Sequence, residues 1–186
     1  MKRVVPLLLL CALLLAACER QSLPGPETEP KRLQVVTTLF PLYDFARAAG
    51  GDLAEVTLLL PPGVEPHGFE PKPDDVLRIH RADLFVYTHP AMEPWAARVI
   101  AGIDPQRVAV VDASAGARLQ PAETGDGHDH EEGTDPHFWL DFDNARIVVG
   151  NIATALAARD SAHRDRYLAN AAAYQARLAA LDQKYR

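Results

Sequence analysis

The amino-acid sequence predicts an α/β fold: an N-terminal lobe with a parallel sheet flanked by helices, followed by one long helix. Three observations lead there. Apolar runs of strand length recur along the chain, the apolar period switches between strand and helix as a βαβ unit requires, and single helices separate the successive strands. Strands joined in that way form a parallel sheet with right-handed crossovers. At 186 residues and 48% hydrophobic, the chain is long enough to bury a core.

The elements follow in order. LQVVTTLF (33–40) reads as a buried strand, and PLYDFARAAG as a helix with Pro41 at its start and Gly50 at its end. EVTLLL (55–60) is a second strand, followed by a helix from about Pro73 to Ala82 and the strand DLFVYT (83–88). A helix from about Glu93 to Ile103 leads to the strand RVAVVDAS (107–114). A loop rich in Gly, Asp, Glu and His then precedes two helical stretches, Asn144 to Ala158 and about Ala162 to Tyr185. In the second, Tyr167, Leu168, Ala171, Ala172, Tyr174, Leu178, Leu181 and Tyr185 largely follow helical spacing, so the helix packs on something. No Gly or Pro stop signal follows it before Arg186, which reads as a truncated chain.

Ahead of the folded region stands a targeting segment. Lys2 and Arg3 supply a positive start, Val4 to Leu15 an apolar stretch, and Ala16 and Ala17 small residues for cleavage, so 1–17 reads as a secretory signal. The stretch is shorter than the roughly 20 residues needed to span a bilayer. Leu15-Ala16-Ala17-Cys18 looks like a lipobox, which makes Cys18 the site of lipidation and the first mature residue, anchored to a membrane by acyl chains. Residues 18–32, with Pro24, Pro26 and Pro30, form a flexible tether between lipid and lobe. The expected location is therefore the cell envelope, facing the periplasm or the extracellular side. The only cysteines are Cys11 and Cys18, so a metal site in the folded part must be built from His, Asp or Glu. Net charge is −6, from 19 Lys+Arg against 25 Asp+Glu, and no basic field is present to bind nucleic acid.

In open α/β sheets ligands bind beyond the carboxyl ends of the strands, and three of the loops there carry histidine. PPGVEPHGFEPKP (61–73), with five prolines and two glycines, mounts His67 on a stiff, mostly extended course. Asp135-Pro136-His137-Phe138-Trp139-Leu140-Asp141 surrounds His137 with apolar bulk and offers Asp135 or Asp141 as an acceptor for its ring. His89 follows the third strand on the same rim and is a candidate extra ligand, as are the carboxylates of Glu65 and Glu70. His128 and His130, in GDGHDHEEG, are candidates for weak metal collection near the entrance. His80 and His163 read as structural or surface residues, and Tyr43, Phe45, Phe69, Trp95, Phe138 and Trp139 as core or pocket wall.

PHGFEPKPDD (66–75), LFVYTHPAMEPW (84–95), the acidic His loop and DPHFWLDFDNA (135–145), in that order behind a lipobox, resemble the zinc and manganese substrate-binding lipoproteins of ABC transporters, zinc-uptake type. The resemblance runs from about Val35 to the end of the chain. It implies two α/β lobes bridged by a long rigid helix, with metal held between them by His67, His137 and two ligands of a second lobe. On that reading 33–158 is the N-terminal lobe, 159–186 the inter-lobe helix, and the second lobe is missing from this chain. Two departures stand out: Phe142 where the family usually has proline, and Thr88-His89 where Asn-Gly is common.

The expected function is capture of a divalent metal outside the cytoplasmic membrane and its delivery to an ABC permease and its ATPase, by a monomer without enzymatic activity. Two imidazoles suit zinc, with manganese the alternative and an adhesin-like role its companion. The rival from another class is a zinc hydrolase in which Glu70 activates water, but no HExxH motif supports it. Nor is there a G-x-S-x-G elbow or a Gly-rich GK[ST] loop.

Overall fold

The computed structural model describes residues 31–121 and 134–186. The signal, Cys18, the tether up to Pro30, and His128 and His130 lie outside the described residues. Contacts separate the chain into Met1–Lys31 and Arg32–Arg186, and the fold below is that of the second unit.

Four strands, β1 (Leu33–Thr37), β2 (Ala54–Leu58), β3 (Leu84–Tyr87) and β4 (Ala109–Asp112), form one sheet in the order β2-β1-β3-β4. Every pairing is parallel, with Val35 opposite Val56 on one side and Leu84 on the other. The helices are α1 (Phe40–Gly50), α2 (Pro73–Arg81), α3 (Ala96–Ile100), α4 (Phe142–Arg159) and α5 (Arg164–Tyr185). The step from β1 to β2 runs one way, and those from β2 to β3 and β3 to β4 run the other. Right-handed crossovers therefore place α1 on one face and α2 and α3 on the opposite one.

Strand alternation divides the core accordingly. Val35, Leu84, Val86 and Val111 pack with α1, α4 and α5. Val36, Phe85 and Val108 pack with Ile79 of α2 and with Trp95 and Ala96 of the third crossover. Both strand faces are thus apolar, which is why the runs read as continuous rather than alternating hydrophobics. α4 fills the position over β3 and β4 on the α1 side, with Val148, Val149, Ile152, Ala153, Leu156 and Ala157 buried.

The element boundaries depart from expectation where polar side chains intervene. α4 begins at Phe142 rather than Asn144, because the Asp141 carboxylate accepts the Asn144 N–H (2.9 Å) and caps the first turn. Phe142, the departure from proline, does not disturb that start; its ring stacks on Tyr185 at 6.5 Å. α3 begins at Ala96 rather than Glu93, because the Glu93 carboxylate turns back to the Thr88 N–H and holds 89–95 in tight turns. α5 begins at Arg164, after a short 3₁₀ turn over Ser161–His163.

The last helix is bolted to this lobe. Tyr167 is fully buried and donates to Asp160 at 2.9 Å; Tyr174 donates to Asp44 of α1 at 2.6 Å; Gln175 donates to the Arg146 carbonyl of α4 at 2.8 Å. Toward the C-terminus Leu181 and Tyr185 become exposed. No helix among the described residues is long and apolar enough to cross a membrane.

Candidate metal centre

The loops after β2 and β4 leave the same end of the sheet, and they bring His67 and His137 together with ring centroids 5.5 Å apart and planes at 70°. With Zn–N bonds of about 2.0–2.1 Å and tetrahedral angles, two imidazoles on one ion have centroids roughly 5 Å apart. The observed spacing is therefore close to what two ligands of a single ion require.

Each histidine is oriented from its own loop. The Asp135 carboxylate sits 2.7 Å from Nδ1 of His137 and also accepts the His137 backbone N–H at 2.9 Å. With Nδ1–H donating to a carboxylate, the Nε2 lone pair is left for a metal, the arrangement that fixes both tautomer and ring plane in histidine metal sites. Trp139 packs edge-on against the same ring, centroids 5.5 Å apart. On the other side Glu65 accepts the N–H groups of His67 (3.0 Å) and Gly68 (2.8 Å), tightening the turn that presents His67. A cleft of about 380 Å³ adjoins His137, lined among others by Arg118, Asp135, Leu140, Asp141 and Arg186.

The loop bearing His67 is clasped from the third crossover. Phe69 packs edge-on against Trp95 at 6.0 Å, and Glu70 forms two hydrogen bonds, 3.0 and 3.2 Å, with the Arg98 guanidinium. Glu70 thus faces α3, which leaves the hydrolase reading without its water-activating base at the histidine pair. His89 takes a different state again: its Nδ1 lies 3.0 Å from the Ala91 N–H and accepts it. In this arrangement Nδ1 of His89 is engaged by the backbone of its own turn rather than by a carboxylate, unlike that of His137. Among the described residues no three His, Cys, Asp or Glu side chains form a group able to hold an ion.

Three further polar residues, Glu93, Tyr87 and Asn144, stand apart from the histidines. Glu93 is 2% exposed. Burial pushes its carboxyl up from 4.5 to about 7, against the opposing pull of hydrogen bonds from Thr38, Thr88 and the His89 backbone. Beside it Tyr87 donates to Asp112 at 3.2 Å, and burial together with that carboxylate raises its phenol to about 12. Asn144 is 3% exposed and falls in register with Val148, Ile152 and Leu156, every fourth residue of the buried stripe of α4. A polar side chain at the head of an apolar i, i+4 stripe is the signal that could have singled it out from sequence.

The chain is similar over 95% or more of its length to two zinc-named bacterial proteins. The zinc-binding lipoprotein AdcA of Streptococcus pneumoniae serotype 4 is 39% identical over 194 aligned residues, covering 100% of this chain and 38% of AdcA. The high-affinity zinc uptake system protein ZnuA of Bacillus subtilis is 36% identical over 187, covering 95% of this chain and 58% of ZnuA. The chain thus spans less than two thirds of either relative. The crystal structure of Zn(II)-bound AdcA from Streptococcus pneumoniae superposes with a TM-score of 0.74 at 34% identity, over 83% of this chain and 32% of that one. The family model described as zinc-uptake complex component A, periplasmic, matches residues 35–186, and this chain belongs to that family.

Proposed function

We propose that this chain is the metal-capturing lobe of an extracytoplasmic binding protein that takes up zinc and delivers it to an ABC permease and its ATPase. The observation that carries the reading is the His67–His137 pair at ligand spacing, with the His137 tautomer set by Asp135. Family membership and the names of the relatives, zinc-binding and zinc-uptake proteins, support zinc over manganese. Binding rather than catalysis is the role, since Glu70 is engaged by Arg98 and the relatives carry transport names.

Two imidazoles leave a tetrahedral ion two positions short. On this reading the remaining ligands come from a second lobe, with α5 as the helix leading to it and the two lobes closing around the ion. Cys18 anchors the mature protein to the membrane through lipid, with the lobe facing the periplasm or the extracellular side. His128 and His130 collect ions weakly, and the carrier works as a monomer. Glu65, the candidate accessory carboxylate, also shapes the loop, since both its oxygens accept backbone N–H groups.

Competition titration of the metal-free chain with zinc and with manganese tests this. Zinc should bind more tightly than manganese, and His67→Ala or His137→Ala should each weaken zinc by tenfold or more. Zinc affinity indifferent to both substitutions would remove the site. Turnover of a peptide or ester substrate abolished by His67→Ala would move the protein to the hydrolases.

A further inference from the structure

The β4–α4 connection is long, and His137 hangs from its returning arm, so something must hold the two arms in register. The backbone does part of this: the Asp135 N–H donates to the Gln120 carbonyl at 2.8 Å, and Pro121 and Thr134 form an antiparallel bridge. At the base of the arms one buried side chain completes it. The Asn144 carboxamide oxygen accepts the Arg118 N–H at 2.8 Å, and its NH₂ donates to the Arg118 carbonyl (2.9 Å) and to the Phe138 carbonyl (3.1 Å).

These partners admit only one orientation of the amide, since an N–H needs the oxygen and two carbonyls need the NH₂. Both N–H groups are used, and the residue is almost wholly out of water. Capping of α4 is not its task, because Asp141 already serves the helix there. The side chain instead reads both backbone groups of the outgoing arm and the carbonyl immediately after His137 on the returning one. Its own backbone is fixed by a helix whose next turns, at Ala145, Val148 and Val149, are seated in the core.

We infer that Asn144 is a positioning residue of the metal site, which ties His137 to the rigid start of α4 and so sets where its Nε2 points. The inference rests on the reading of His137 as a ligand. Removing an outer partner of a metal-bound histidine typically costs 10–100-fold in affinity. Asn144 acts one peptide further out, and a loss near the lower end, about tenfold, is expected.

The decisive variant is Asn144→Asp, which keeps the acceptor for Arg118 but turns an oxygen toward two carbonyls. In the whole metal-free chain, the imidazole ¹⁵N signals of His137 should move toward those of a ring exchanging between tautomers, while those of His67 stay in place. Zinc titration of the same protein should show about tenfold weaker binding. Val148→Ala, which loosens α4 in the core without touching the connection, should lower the melting temperature and leave the His137 signals unmoved. Asn144→Ala gives the same reading where the Asp variant does not fold.

Unmoved His137 signals with zinc affinity within about twofold of wild type would overturn the inference while leaving the metal site standing. So would loss of the fold in both Asn144 variants, which would assign the residue to stability alone. Zinc binding insensitive to His67→Ala and His137→Ala would overturn the site itself and this role with it.

Discussion

At the scale of single residues, the chemistry of the rim is decided by which nitrogen or oxygen each side chain has left after its local bonds are made. His137 gives Nδ1 to Asp135 and keeps Nε2; His89 spends Nδ1 as an acceptor and holds its proton on Nε2. The two histidines are alike in composition and differ in the bonds their Nδ1 atoms make. Asp135→Ala should therefore weaken zinc binding by about 10–100-fold in a competition titration, through loss of orientation and basicity rather than of a ligand. Glu93 allows a prediction of a different kind. Its folded carboxyl titrates near 7 against 4.5 when unfolded, so the native state holds the proton more tightly. That stability is fully present below pH 4.5 and is lost as pH rises through 7, by about 3 kcal/mol at most. Glu93→Gln should flatten this part of the profile. Urea midpoints at pH 5 and pH 8 would show the wild type falling relative to the variant; parallel profiles would contradict the assignment.

At the scale of elements, close approach governs what the sequence tolerates. α1 ends on Gly50, where an added Cβ would come within 2.5 Å of the Ala54 Cβ at the start of β2. Gly51 follows with φ of 58°, a left-handed conformation that disfavours any side chain. Gly50→Ala should thus destabilise by about 1–3 kcal/mol through overpacking, although alanine is the better helix former, and thermal unfolding would measure it. The strands and α1 were legible in the sequence, since apolar period and Pro or Gly punctuation decide them locally. The start of α3 was not, because Glu93 caps the end of β3 through a bond made only when the turn is already folded. For Asn144 the apolar stripe marks the position, but its partner is not legible: what satisfies the buried amide is the backbone of a segment 26 residues upstream.

At the scale of the whole molecule, the parallel pairing of the strands places the loops after β2, β3 and β4 at one end of a sheet packed on both faces. A ligand that binds only the folded lobe stabilises it by mass action. Zinc at a hundredfold excess over its dissociation constant should therefore add about 2.7 kcal/mol, visible as a rise in melting temperature. Chelator should reverse this rise. A melting temperature indifferent to zinc would count against the site.

The sequence by itself determined the α/β lobe, the order of its elements, the absence of thiol ligands in the folded part, and His67 and His137 as the candidates, because periodicity, proline placement and short motifs are written in neighbouring residues. Only the tertiary structure decided that these two rings stand 5.5 Å apart, that Glu70 is drawn off to Arg98, and that the Asn144 amide meets the backbone of Arg118. Each of those depends on partners distant in the chain, and a hydrogen bond is specified by where its two ends meet in space.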